Sequence, residues 1–420
     1  MLNYSNTLES LFSLQRRGIK LGLEHTTNLL NEINNPQNNF KCIHIAGTNG
    51  KGTTCAVLQN ILYLSGKKVG LYTSPHLVRF NERIRVNGRP ISDHDVARFF
   101  KSIYKKAEQI KSTFFEVTTA MAFDYFNNQK VDIAVIETGL GGRLDSTNVV
   151  FPELSVITPI SYDHQNILGR KLETIAYEKA GIIKKDVPVV IGKQDKVVEN
   201  VIIKKAKESN SKLYKVDLRL LTKINTDING TEFYYKGEKY FVPLLGKHQV
   251  ENSILAIESA SIFDQSIESM NFSKGVGTVK WPGRMEVLDK SIYFDVSHNE
   301  KGIEVTIDTL KEIHPNKKLA GIMCIKKGKS RERIIKLVTK YFRKIYIFNN
   351  YNELLLPANE LYESLSAEEP NFLKLGSIRN CIKNLKSDIN EGYVGLIFGT
   401  HYVAEDIYKA LEISFDADII

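Results

Sequence analysis

The stretch Lys41-Cys-Ile-His-Ile-Ala-Gly-Thr-Asn-Gly-Lys-Gly-Thr-Thr54 decides how the rest of the chain is read. The apolar run Cys42 to Ile45 reads as a buried parallel strand. Gly47-Thr48-Asn49-Gly50-Lys51 follows, then a helical run from Thr53 to Leu64. Strand, glycine loop, lysine and helix in that order make a phosphate cradle. Glycines let the backbone turn so that successive N–H groups point inward. The helix N-terminus adds partial positive charge. Lys51 can neutralise outer phosphates, and Thr53 or Thr54 can offer a hydroxyl to phosphate or to Mg²⁺. Two positions depart from the usual loop: Ile45 stands where a glycine is expected, and Gly52 separates the lysine from the hydroxyl residues. Taken alone, the stretch also suits a strand-to-helix turn that binds nothing.

At 420 residues the chain can bury a large core and form two domains. No apolar run approaches the ~18–20 residues of a membrane span. Met1-Leu-Asn-Tyr-Ser-Asn6 lacks the basic-then-apolar layout of a signal peptide. These features predict a cytoplasmic protein with no membrane partner. Cys42, Cys55, Cys324 and Cys381 are scattered, and no Cys-x-x-Cys spacing points to metal or redox chemistry. The net charge is +9, but the basic residues are spread out, and small polyanionic substrates explain the excess as well as nucleic acid does. The densest basic run, Lys326 to Arg333, has no interleaved aromatics, so no nucleic-acid partner is expected.

Outward from the loop, Lys68 to Tyr72 reads as a second strand ending in Thr73-Ser-Pro-His-Leu77. Open parallel sheets bind ligands at strand C-termini. Ser74 is therefore a candidate metal or phosphate contact, although Thr-Ser-Pro is also a plain turn. Val131 to Ile136 is a buried strand leading to Glu137-Thr-Gly-Leu-Gly-Gly-Arg-Leu-Asp145. A carboxylate there is where a phosphate-loop protein needs a Mg²⁺ ligand. The same glutamate can instead cap a turn. Leu154 to Thr158 leads to Ser161-Tyr-Asp-His164, where His164 is a metal ligand, a proton carrier or a structural residue. Lys179, in Glu178-Lys-Ala-Gly181 near a helix end, reads as surface.

Leu8 to Leu30 is expected to be helical with a break at Gly18, and Asp93 to Lys111 and Val117 to Phe126 are expected helices. The link Thr113-Phe114-Phe115-Glu116 reads first as core, though an aromatic pair before a carboxylate can also grip a flat heterocycle. Leu220 to Pro243 alternates as an antiparallel hairpin, and Gly246 opens a helix to Phe263. Trp281-Pro-Gly-Arg284 marks a boundary. Beyond it, strands are expected near 291–295, 318–325, 344–348 and 393–398, with helices between, in a second parallel sheet.

Together these motifs resemble the folylpolyglutamate synthase and dihydrofolate synthase family, a branch of the Mur-ligase-like ADP-forming ligases. The resemblance spans Gly18 to about Gly399 and rests on an ordered set. The set is Ala46 to Thr54, Thr73 to Leu77, Thr113 to Ala120, Glu137 to Asp145, Tyr162 to His164, Glu178 to Ile182, Gly246 to Asn252, Pro282 to Arg284 and Asp295 to Asn299. The family's loop shares both departures at Ile45 and Gly52. The resemblance implies an α/β protein: a P-loop parallel-sheet ATP-binding domain over 1–284, then a smaller Rossmann-like α/β domain over 285–420. It implies that Gly47, Thr48, Asn49, Gly50, Lys51, Gly52 and Thr53 hold ATP phosphates, and that Asn252, Arg284, Asp295 and His298 meet the nucleotide. Ser74, Glu137 and His164 look like the family's Mg²⁺ ligands, with room for a second Mg²⁺ or a monovalent cation. Lys179 looks like the family's carbamylated lysine, and Lys51, His164 and Lys179 are the catalytic candidates. Gly18, Ile19, Lys20, Leu21, Thr113, Phe114, Phe115, Glu116, Leu144, Asp145 and Ser146 resemble the pterin-substrate pocket.

The implied reaction passes the γ-phosphate of ATP to a substrate carboxylate. The amine of L-glutamate then attacks the acyl phosphate. The acceptor is dihydropteroate, a reduced folate carrying glutamate, or both, and the Thr-Phe-Phe-Glu form resembles bacterial enzymes that use both. A monomer with only small-molecule partners is expected. Departures bear on substrate preference. Val296 and Ser297 replace the Gly-Ala of the family's Asp-Gly-Ala-His-Asn. Lys326-Lys-Gly-Lys-Ser330 lacks the carboxylates common there, and Ser146 replaces a common alanine. Two other readings are a Mur-type ligase acting on a UDP-sugar and a non-catalytic nucleotide-dependent binding protein. The Thr73 and Thr113 segments count against the first, and intact Lys51, Glu137 and His164 against the second.

Overall fold

In the computed structural model, which describes residues 4–18, 20, 22–289, 291–327, 331–350, 352–367 and 373–415, the apolar runs become strands of three sheets. Eight strands form the first: β1 (Lys41–Ala46), β2 (Val69–Tyr72), β3 (Ile84–Val86), β4 (Arg89–Pro90), β5 (Ile133–Glu137), β6 (Leu154–Ile157), β7 (Val189–Ile191) and β8 (Leu213–Lys215). Their order is β4-β3-β2-β5-β1-β6-β7-β8. β1 pairs in parallel with β5 on one side and β6 on the other. The chain winds outward from β1 in both directions, so the C-terminal end of β1 is the switch point where such sheets hold ligands. The sheet is not wholly parallel. β3 pairs antiparallel with β2 and with β4, and Asn87-Gly88, with φ of 51° and 79°, closes the hairpin between β3 and β4.

The helix Lys51–Leu64 is buried on every face from Gly52 to Leu62. It lies between the large sheet and the helix Lys247–Phe263, beneath a three-stranded antiparallel sheet. That sheet runs β11-β10-β9, formed from β9 (Leu221–Asp227), β10 (Gly230–Tyr235) and β11 (Glu238–Val242). Phe233, Tyr235, Tyr240 and Val242 join Cys55, Leu58 and Ile61 in one core. On the opposite face of the large sheet, Val117, Phe123 and Phe126 of the helix Phe114–Gln129 fill a second core. The Phe126 ring lies on Gly70 of β2, where a Cβ would come within 2.8 Å of it. This helix starts three residues before the expected Val117. Thr113 and Glu116 cap it reciprocally, the side chain of each accepting from the other's backbone amide.

The third sheet runs β12-β13-β17-β14-β15-β16, from β12 (Glu286–Asp289), β13 (Ile292–Asp295), β14 (Leu319–Met323), β15 (Phe342–Phe348), β16 (Leu373–Leu375) and β17 (Val394–Phe398). The four expected strands are present. β12 and β16 were not expected, and β12 makes the sheet mixed because it pairs antiparallel with β13. β12 is a short edge strand of alternating exposure, too polar to stand out from a loop. All four cysteines are buried and free. Among the described residues no helix is long and apolar enough to cross a membrane. Phe126→Ala should open a cavity beside β2 and lower stability by about 3–5 kcal/mol, measured as a fall in the urea midpoint.

Candidate active site

The loop after β1 is shaped by contacts that leave no room for side chains. At Gly47, φ is 153° and a Cβ would stand 1.8 Å from Thr158 Oγ1. At Gly50, φ is 86° and a Cβ would stand 2.2 Å from Asn252 Oδ1. At Gly52 it would stand 2.9 Å from the Trp281 ring. These contacts bind the loop to the end of β6, to the helix Lys247–Phe263 and to the segment leading into the third sheet. Gly52, a departure from the usual loop, is thus required by Trp281. The Thr48 and Asn49 amides both donate to the Pro159 carbonyl, at 3.0 and 3.3 Å. Thr48 Oγ1 donates to the Ser161 carbonyl and accepts from its amide, both at 3.1 Å. Lys51 folds back over its own loop, Nζ donating to the Gly47 and Thr48 carbonyls at 3.2 and 3.3 Å. Thr53 is buried in the first turn of the helix.

Glu137, at the end of β5, lies 3.8 Å from Lys51 Nζ through Oε1. Its Oε2 accepts from the Ser74 amide at 3.0 Å. Burial pushes its carboxyl above the usual range, against the opposing pull of Lys51, the Ser74 amide, Arg284 and Arg83. Lys179 is not on the surface, as its helix-end setting had suggested. It is buried, and Nζ donates to the Gly47 carbonyl at 2.7 Å. Burial first, and then the charge of Lys51, pull its ammonium down to about 7, against Asp163 and Asp145. His164 has φ of 49° and a side chain 40% exposed, with Nε2 4.0 Å from Asp163 Oδ2. Among the described residues no three His, Cys, Asp or Glu side chains group as a metal site.

The third sheet reaches the loop through the segment after β13. Asp295 is buried, and its two oxygens accept from the Met285 and Ser297 amides at 2.9 and 2.7 Å. Asn299 accepts from the Gly302 amide at 2.8 Å, capping the helix Glu300–Ile313. Its Nδ2 donates to Asn49 Oδ1 at 3.0 Å and to Asp163 Oδ2 at 3.4 Å. His298 Nε2 lies 3.6 Å from the same Asp163 oxygen. Asn252 donates to Gln249 Oε1 at 3.2 Å. Arg284 is partly buried, and its charge acts on Glu137 and His248. The contact from Asn299 to the loop had not been foreseen, although an asparagine directly before a helical run is a capping signal. The Pro159 carbonyl leaves no sequence signal, because any residue would supply it.

The three segments read as a substrate pocket come together. Arg17 donates to the Ser112 carbonyl and Lys20 Nζ to the Lys111 carbonyl, both at 2.8 Å, just before Thr113. Ile19 and Leu21 lie outside the described residues, as do Gly328 to Ser330. Phe114 is core, stacked on Phe12 at 5.5 Å. Phe115 is only partly buried, stacks on Tyr72 at 5.9 Å and covers Gly139, where a Cβ would come within 2.3 Å of the ring. Thr119 and Ser146 share a 2.8 Å hydrogen bond, joining this helix to the Leu144–Ser146 turn. Asp145 holds that turn by accepting from the Leu140 and Thr147 amides at 2.7 and 3.0 Å. The Glu116 Oε1 is buried without a partner.

The Mur ligase middle domain matches residues 45–260. A Bacillus subtilis dihydrofolate synthase/folylpolyglutamate synthase is 33% identical over 94% of this chain and 96% of its own. The chain belongs to the dihydrofolate synthase/folylpolyglutamate synthase family. A Mycobacterium tuberculosis folylpolyglutamate synthase complexed with ADP and AMPPCP superposes with a TM-score of 0.89 at 26% identity, covering 98% of this chain and all of that one. The E. coli FolC in complex with DHPP and ADP superposes with a TM-score of 0.86, also at 26% identity, covering 97% of each chain. Like the rest of the family, this synthase is an ATP-dependent, ADP-forming ligase. In this synthase Gly50→Ala should drive a methyl into Asn252 and weaken ATP binding by about tenfold or more, since ~1.4 kcal/mol of misfit suffices. Calorimetric titration with ATP checks this.

Proposed function

We propose that this ligase joins the amine of L-glutamate to the carboxylate of dihydropteroate, of a reduced folate already carrying glutamate, or of both. The observation that carries the reading is the convergence of Lys51, Lys179 and the Thr48–Asn49 amides on one loop, with Glu137 facing Lys51 and Phe115 beside it across Gly139. We place the nucleotide loop and the pteridine segments in a unit of residues 1–284, and a smaller unit of residues 285–420 across the cleft. The protein acts as a cytoplasmic monomer.

The Glu137 carboxylate and the nearby Ser74 hydroxyl are hard oxygen donors of the kind Mg²⁺ takes. Mg²⁺ keeps several waters and needs only one or two carboxylates beside phosphate. Glu137, Ser74 and His164 would hold it, and it would supply neutralisation of phosphate charge. The chain's own groups do the rest. Lys51 exchanges its two loop carbonyls for phosphate oxygens. The Thr48 and Asn49 amides exchange the Pro159 carbonyl for the same ligand. The substrate carboxylate attacks the γ-phosphorus, and the bond to the ADP oxygen breaks. The L-glutamate nitrogen then attacks the acyl carbon, the C–O bond to phosphate breaks, and the amine loses its proton to solvent. Asn49, bonded to Asn299, ties the loop to the smaller unit, so that closure excludes water from the acyl phosphate.

The test is ADP release from purified protein with MgATP and L-glutamate, offered dihydropteroate or tetrahydrofolate separately. Substrate-dependent ADP is expected with both; activity with one alone removes the double specificity, and none with either removes the ligase substrates. Lys51→Ala should abolish turnover in a protein that keeps its circular dichroism; near-normal turnover refutes the role of the loop lysine.

Lys179 is poised for carbamylation. An amine with a value of about 7 is substantially neutral at physiological pH. Its nitrogen can attack CO₂, forming the carbamate and releasing one proton. Because its folded value lies below the 10.5 of an ordinary lysine, it costs stability in full below about pH 7, and the cost fades as pH rises toward 10.5. With ¹³C-bicarbonate, the protein should show a carbamate carbon resonance that Lys179→Met lacks. The variant's stability should also rise less steeply than wild type between those two pH values.

A further inference from the structure

Arg83 stands just before β3, and its carbonyl accepts from the Thr73 amide at 3.0 Å, beside Ser74 and Glu137. Its side chain is buried, the residue being 7% exposed. The guanidinium lies 5.2 Å over the Phe114 ring, and Nε donates to His76 Nδ1 at 2.8 Å. Neither Nη has a partner among the described residues. The nearby carboxylates are already engaged. Glu82 accepts from the Leu77, Val78 and Arg79 amides, and Glu137 accepts from Ser74 and faces Lys51. Burying a guanidinium with two nitrogens unpaired is costly, and an arriving anion would offset that cost.

A second positive charge, that of Lys326, lies nearby, beside the His401–Tyr402 pair. His401 stacks with Tyr402 at 4.1 Å, and Lys326 Nζ lies 5.8 Å over the Tyr402 ring. Burial first, and then the charges of His298, Arg83, Lys326 and Arg284, hold His401 at about 3. Phosphates are taken by the loop and Lys51. What remains without a described partner is the carboxylates that the substrates carry.

We propose that Arg83 binds a substrate carboxylate through its two unpaired Nη atoms. The planar fork suits a bidentate carboxylate, and the Phe114 face keeps it flat. The carboxylate belongs either to L-glutamate or to the glutamyl tail of the folate substrate. This rests on the substrates proposed above.

Two measurements test it on the full chain, with wild type, Arg83→Gln and Arg83→Lys compared. The first is calorimetric binding of glutarate, a bare dicarboxylate, in the presence of ADP. Glutarate should bind wild type and lose about tenfold or more in Arg83→Gln, with ADP affinity kept within about twofold. Equal glutarate binding by wild type and a variant that still binds ADP overturns the proposal, as does failure of wild type to bind glutarate. The second is the KM of each substrate. Arg83→Gln should raise one of them about tenfold or more and leave the KM for ATP within about twofold. A shift for L-glutamate assigns the carboxylate to the amino acid, and a shift for the folate assigns it to the tail. A fall in kcat alone overturns the proposal. Should Arg83→Gln fail to fold, Arg83→Lys, which keeps the charge but not the fork, must show the same KM shift in reduced degree. Wild type that binds glutarate through Arg83 but releases no ADP with any pteroyl substrate keeps this site and removes the substrate reading instead.

Discussion

Between Gly47 and Thr158 there is no space for a single carbon atom. The hydroxyl of Thr158 occupies the place where a side chain at Gly47 would begin. That contact locks the end of β1 against the end of β6, and the Pro159 carbonyl then receives both loop amides. Asn252 presses on Gly50 and Trp281 on Gly52 in the same way. The loop is therefore held from three sides before any ligand is present. The Gly47 carbonyl accepts from both Lys51 and the buried Lys179.

Two ammonium groups on one carbonyl is an unstable electrostatic arrangement unless one of them gives up its proton. Lys51 keeps Glu137 as a counter-charge. Lys179 lacks a carboxylate at salt-bridge distance among the described residues and is the one whose proton is loosened. The two lysines thus sit in different surroundings: Lys51 has a carboxylate opposite it, and Lys179 is buried without one at salt-bridge distance among the described residues. The difference comes from burial and neighbours, not from residue type.

Much of this was legible in the sequence. The buried runs Cys42–Ile45, Val131–Ile136 and Leu154–Thr158 announce the central strands because a strand covered on both faces has no polar alternation. Glycines at 47, 50 and 52 announce the loop. What was illegible had physical reasons. The Thr113–Glu116 turn looked like a linker because its helix begins with two aromatics, and only the reciprocal cap of Thr113 and Glu116 extends the helix to include them. Lys179 looked exposed because burial of a lysine depends on partners far away in sequence. Arg83 carried no motif, and its contacts, His76 and Phe114, lie on separate segments. β12 and β16 are short and at the edges of the sheet, where hydrophobic pattern is weakest.

The single amide of Asn299 has a polarity that its surroundings fix. Its oxygen is committed to the Gly302 amide, so its nitrogen must face the loop. Asn49 must then present its own oxygen, which turns its nitrogen toward Ser161 Oγ, 3.4 Å away. A directional chain of donors and acceptors therefore runs from the start of the helix Glu300–Ile313, through the Gly47–Lys51 loop, to the turn after β6. An aspartate at 299 would preserve the helix cap but set a carboxylate against two oxygens, those of Asn49 and Asp163. Asparagine at this position therefore matters less for its size than for having different atoms at its two ends.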